Sequence, residues 1–209
     1  MKTPYQVVAY FCSELASYKL FVEISERNWI EENNRYTSSL FEDNETEAFR
    51  FSYRTDLSSK LNEDFPQLQR KSYLIMLVSI FEDFMNDLCR SIEFQMNLNI
   101  SFNEFSGSGI ERAKKYLSKL SPISLPVNGA EWQTIKKAQE IRNIVAHNAG
   151  HIDNQKHLKQ LEIVKRNKNL EAEHYARTHL KIESLYILDL IDSMHNFSSK
   201  LLEECLKTI

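Results

Sequence analysis

Between Pro66 and Asn97 the apolar residues recur at steps of three and four, at Leu74, Leu77, Val78, Phe81, Met85, Leu88 and Ile92. That is the repeat of one face of an α-helix. Tyr73, Ile80 and Phe84 add a second stripe beside the first. A helix apolar on two sides has to be buried in a bundle or shared with a second chain. Pro66 suits its first turn, where a missing N–H costs nothing.

The rest of the chain offers little to interrupt helices. It has only 4 glycines and 4 prolines in 209 residues, fewer than an all-β fold needs for its turns. The expected class is therefore all-α. One helix is expected from Tyr5 to about Glu32, with a loop or interrupted helix over 33–47 and a short helix over 48–62. NISFNEFSGSG (99–109) breaks the pattern after the central helix, and 110–120 reads as a short basic amphipathic helix. SPISLPVNG (121–129) is a loop, and Ala130–Asn148 is helical, with Gly150 placed for a left-handed C-terminal residue. Asp153 suits the cap of a helix over about 154–166. Residues 166–182 are ambiguous between a turn with a short hairpin and an extended arm. A last helix is expected over about 183–207. The chain divides into an N-terminal helical extension (1–65) and a helical bundle (66–209).

Several function classes drop out. The longest apolar run, Tyr73–Phe81, is interrupted by Ser79 and falls far short of the roughly 20 residues of a membrane span. No charged-then-apolar leader opens the sequence. Cys12, Cys89 and Cys205 are odd in number and have no paired spacing, so they read as reduced thiols. The expectation is a soluble cytoplasmic protein. His151, His157, His174, His179 and His195 have no metal-ligand spacing with cysteines or acids, and are expected to be surface or core histidines. Neither metal nor cofactor is expected, and no serine-hydrolase or metallopeptidase motif is present.

Charge is unevenly spread. Residues 1–65 carry 7 basic and 12 acidic side chains, whereas 111–168 carry 12 and 5, net +7. A polyanion such as RNA would be drawn to that segment, with Lys114, Lys115, Lys136 and Lys137 as its expected contacts. Within it lies QEIRNIVAHNAG (139–150). Asn143 and His147 are four apart and share a helix face, whereas Arg142 and His147 point about 140° apart. His147 falls in the last turn, where the helix dipole favours a cation. Histidine is the side chain suited to moving protons near neutral pH, and the planar fork of arginine matches a phosphate. Glu82 borders the buried stripe of the central helix, and a carboxylate there is costly unless paired. It is placed either as a boundary residue with its head in water or as a group that holds an arginine in a cleft.

The run Arg142-Asn143-Ile144-Val145-Ala146-His147, on a late helix of an all-helical chain, resembles the motif of the HEPN superfamily. In that family an Arg is followed by four to six residues and a His, often with a polar residue directly after the Arg. The continuation Asn148-Ala149-Gly150-His151-Ile152 is also similar, and 72–89 resembles the family's long helix with its acidic residue, matched here by Glu82. The resemblance covers roughly 66–205, and residues 1–65 match no named family. It implies a HEPN-like bundle and a metal-independent endoribonuclease of anti-phage defence or a toxin–antitoxin system. Arg142, His147 and Asn143 would be its catalytic residues, with Glu82 and Asn148 in support. It implies a homodimer, and an antitoxin or defence-complex partner. Two alternatives stand beside it: a non-catalytic scaffold with the same fold, and an unrelated helical protein.

Overall fold

The computed structural model describes residues 2–42, 57–174 and 177–208, with backbone alone at 40–42 and 208. Six helices carry the architecture: α1 (Pro4–Glu42), α2 (Phe65–Gln95), α3 (Gly109–Leu120), α4 (Ala130–Asn148), α5 (Leu158–Lys165) and α6 (Ser184–Thr208). The only sheet among the described residues is a hairpin of β1 (Leu170–His174) and β2 (Thr178–Ile182), paired antiparallel with Leu170 opposite Ile182. The class is all-α.

Phe81 marks the centre of the bundle. Its ring lies 6.0 Å from Phe11 of α1, 6.4 Å from Trp132 of α4 and 5.5 Å from Phe197 of α6, each distance between ring centroids. One aromatic from each of four helices therefore meets at a single point. Offset and edge-on ring pairs of this kind stabilise beyond the area they bury. Around them α1 packs on α6 and α2, α4 packs on the same two helices, and α3 lies against α2. No described helix is long and apolar enough to cross a membrane.

Both apolar stripes of α2 are covered within the chain. Phe84, on the second stripe, stacks at 4.1 Å on Phe11, and Tyr73 meets the ring of Phe21. α1 is thus part of the same core as 66–209, with Val7, Val8, Phe11, Leu15 and Val22 buried in it. A second chain is not needed to cover α2.

Three local features differ from expectation. α1 continues to Glu42, ten residues past the expected end near Glu32. Residues 43–56, which held part of the expected loop and most of the expected 48–62 helix, lie outside the described residues. Pro66 lies in the first turn of α2, as expected, but α2 is not a separate helix: residues 57–59 are helical and lead through a π turn, Lys60–Asp64, directly into it. The proline explains the turn. Its ring would clash with the carbonyl four residues back and it has no N–H to donate. The wider π turn, in which Phe65 N–H reaches Lys60 O, carries the chain past this conflict. Asp153, finally, caps a turn and not the helix. Its Oδ1 accepts from the amides of Gln155 (2.9 Å) and Lys156 (3.1 Å), and α5 starts later, at Leu158.

Elsewhere the sequence pattern and the elements agree. Within 166–182, Leu170–His174 and Thr178–Ile182 pair antiparallel, as in the hairpin alternative. α4 ends at Asn148, and both Ala149 (φ 52°) and Gly150 (φ 82°) are left-handed. Cys89 and Cys205 are buried free thiols, pushed up by burial to about 12 and about 11.

Candidate functional site

α4 turns Trp132, Ile135, Ala138, Ile141, Ile144 and Val145 into the core. Arg142 lies next to Ile141 and one turn before Val145, at the border of this buried face. Its side chain is 22% exposed, so the guanidinium reaches solvent while its stem is packed. The same border position on α2 belongs to Glu82, between buried Phe81 and Met85. Packing α4 on α2 brings the two together, with Arg142 Nη2 3.9 Å from Glu82 Oε2. Arg142 Nη1 also donates to Asn143 Oδ1 at 3.3 Å.

Glu82 has a second neighbour, the start of α3. A Cβ built on Gly109 would lie 3.3 Å from both carboxylate oxygens. Gly109 also has φ +57°, a conformation that side-chain-bearing residues seldom adopt. Glycine therefore serves twice here, for the turn and for the close approach of the carboxylate. The amino end of a twelve-residue helix carries partial positive charge and favours an anion. The carboxylate is thus set between a helix N-terminus and an arginine.

This pairing positions Arg142 without saturating it. A guanidinium has five N–H donors, and only one makes a hydrogen bond to a described residue. Its Nε is buried without an acceptor. The 3.9 Å approach to Glu82 is too long for a bidentate fork. Arg142 is therefore held in place with donors left for an incoming anion.

His147 and Asn148 stand apart from this cluster. Both are exposed at the end of α4, and Asn148 Nδ2 lies 3.4 Å from His157 Nε2. His157 Nδ1 accepts the amide of Asp153 at 2.9 Å, which leaves the ring proton on Nε2. So the structure joins Arg142, Asn143 and Glu82, and leaves His147 facing solvent.

The lysines divide similarly. Lys136 is paired with Glu111 at 2.8 Å, and that contact holds the Glu111 carboxyl below its usual range. Lys114 lies over the Trp132 ring at 5.5 Å, whereas Lys115 is exposed. Lys137 is exposed on a groove of about 460 Å³ between α4 and α5, with no ion-pair partner among the described residues. In the same groove Lys159 is bound to Glu140 and Arg166 to Glu162. Much of the positive charge counted in 111–168 is thus locally neutralised.

The structure also gathers residues that the sequence does not single out. His151 and His179 are in ring contact at 4.1 Å, beside Lys71. Nothing in their spacing announces this, because the contact depends on a strand pairing between distant segments. Among the described residues no group of three or more His, Cys, Asp or Glu is placed to hold a metal ion. No family model, no curated protein and no solved structure matches the chain.

Proposed function

We propose that this protein is a HEPN-type endoribonuclease that cleaves RNA without a metal ion, in anti-phage defence or as a toxin. The observation that carries the reading is Arg142, held by Glu82 and Asn143 on the helix whose last turn carries His147, with guanidinium donors still free. An arginine held this way presents a fork complementary to a phosphodiester.

The chemistry needs no nucleophile from the protein. The RNA 2′-oxygen attacks its adjacent phosphorus while a base takes the 2′-proton. The bond from phosphorus to the 5′-oxygen breaks, and that oxygen receives a proton. The products are a 2′,3′-cyclic phosphate and a 5′-hydroxyl. His147 is the proton-transfer group, and Arg142 stabilises the extra charge on the phosphoryl oxygens as the transition state forms. Asn143 orients the guanidinium through the contact it already makes. Asn148, beside His157 at the end of α4, is the supporting group next to His147.

His147 is exposed and points away from Arg142, which supports a homodimer in which each chain supplies one of the two groups to a shared cleft. Lys114, Lys115 and Lys137 are the charges left to guide RNA, and Lys136 joins them only by giving up Glu111. An antitoxin or a defence-complex partner would act by covering this face.

The test is incubation of the purified protein with total RNA in EDTA, beside His147→Ala. Cleavage leaving cyclic phosphate ends, lost in the variant, is the expected result. Inert wild-type protein would favour the non-catalytic scaffold with the same fold.

A further inference from the structure

Beyond the end of α4, His151 makes an isolated antiparallel bridge to His179 of β2. Ile152 N–H donates to Thr178 O at 3.0 Å, and Leu180 N–H donates to Gly150 O at 2.8 Å. These two bonds flank the facing pair His151 and His179. A pair flanked in this way is the closely spaced kind in an antiparallel ladder, with both side chains on one face. The two imidazoles are consequently forced together, with ring centroids 4.1 Å apart.

Lys71 of α2 is laid across the same turn. A Cβ on Gly150 would meet Lys71 Nζ at 3.3 Å and Cε at 3.4 Å, and Gly150 has φ +82°. Glycine is needed both for the turn and for the lysine. Lys71 has no hydrogen-bond or ion-pair partner among the described residues. Burial pulls its pKa down, against the carboxylates of Glu173 and Asp64. Glu173 stands opposite His179 on β1, but Lys181 already binds it at 3.1 Å. His151 Nδ1 is buried and unpartnered. Burial lowers the pKa of His179, and the charges of His151, Lys71 and Arg177 add to that, with Glu173 opposing.

Three basic groups thus converge with no carboxylate of their own. Once protonated, the two imidazoles are like charges directly opposed on a sheet face, which is destabilising, and a partly buried amine is costly without a counter-charge. The negative end of the α4 dipole lies next to them, but it amounts to about half a charge and cannot answer three groups. An anion with several acceptor oxygens can. His151 is also a wall of a surface hollow of about 540 Å³, whose rim includes Arg177, Lys156 and His157. The one acid there, Asp153, is occupied by the amides of Gln155 and Lys156.

We propose that Lys71, His151 and His179 form a phosphate-binding site, separate from the Arg142 cluster and reached from the hollow at His151. The ligand is a phosphate group, either free or carried by a nucleic-acid strand. Binding prefers protonated imidazoles, so the ligand holds both rings protonated to higher pH. The site stands independently of the ribonuclease reading.

The test follows the imidazole C2–H resonances by NMR from acid to neutral pH, at fixed ionic strength, in chloride and in inorganic phosphate. His151→Asn and His179→Asn assign the two signals. The expected result is an upward move of both titrations in phosphate by about half a pH unit or more, equivalent to about threefold tighter binding to the protonated ring. Lys71→Met should abolish the move while leaving the thermal melt intact. His151→Gln should abolish the move at His179, and serves where Lys71→Met does not fold. Arg142→Ala should keep the move in full, whether or not the wild type cleaves RNA. A 2′-O-methyl RNA oligonucleotide that moves the same signals at lower concentration identifies the phosphate as that of a strand. A response to inorganic phosphate alone identifies a free phosphate. Superimposable titrations in chloride, phosphate and oligonucleotide overturn the site, as does a move that persists in the folded lysine and histidine variants.

Discussion

Arg142 on α4 and Glu82 on α2 face each other at 3.9 Å, and the carboxylate is backed by the N-terminus of α3. Three helices thereby fix one guanidinium, and each contact can be removed separately.

Arg142→Lys keeps the charge and loses the planar fork. Under the ribonuclease reading the cleavage rate should fall on the order of 10²-fold or more, as when a transition-state donor is removed. Single-turnover cleavage of a short RNA measures this. A rate near wild type would place the reacting phosphate away from Arg142.

Glu82→Gln leaves the side-chain shape and removes the charge that positions Arg142. Gly109→Ala acts on the same carboxylate from the other side, since its Cβ would crowd both oxygens. Each should slow cleavage by about 10- to 100-fold through misplacement, with Glu82→Gln keeping a wild-type melt. Gly109→Ala should also lose about 1–2 kcal/mol of stability, because alanine is strained at φ +57°. Denaturant unfolding beside the kinetics separates the two effects.

Mixing Arg142→Ala with His147→Ala chains tests the shared cleft. Each variant should be inactive alone, and the mixture should regain part of the wild-type rate as heterodimers form. Sedimentation as a monomer at full activity would remove the dimer from the mechanism.

Arg70 clasps α1 to α2 and the hairpin. Its Nε and Nη2 donate to Glu26 at 2.8 and 2.6 Å, and Nη1 donates to Ile182 O at 3.2 Å. Both side chains are largely buried, so Glu26→Ala strands a charge that Glu183, at 3.8 Å, only partly answers. The expected loss is about 2–3 kcal/mol, read as a lower urea midpoint.

His179 makes stability depend on pH. Burial, then the neighbouring His151, Lys71 and Arg177, hold its protonation midpoint below the ordinary 6.5. The unfolded chain therefore takes up this proton at higher pH than the folded one. The contribution is fully present above about 6.5 and is lost as pH falls through the folded midpoint. Without added phosphate, His179→Asn should lose less stability than wild type between about pH 7.5 and 5.5. Parallel urea midpoints for the two proteins across that range would contradict it.

The sequence by itself determined the helices and their buried faces. The step-of-three-and-four pattern from Leu74 to Ile92 and the shortage of glycine and proline are local properties, and burial reads them directly. The border positions of Arg142 and Glu82 are equally legible, since one residue beside a buried stripe is always half-sheltered. Tertiary structure alone decided what met across those borders. The pattern of α2 could not say that α1, and not a second chain, covers its other stripe, because an apolar face specifies burial without specifying the partner. Nor could it foresee the π turn, which depends on helical residues continuing up to Pro66. The pairing of Glu111 with Lys136 cancels charge that a count along the chain leaves free. His151, His179 and Lys71 come together only because the chain beyond α4 pairs with β2 over the N-terminal part of α2. Such contacts arise from where distant segments are packed, and no periodicity within any one segment records them.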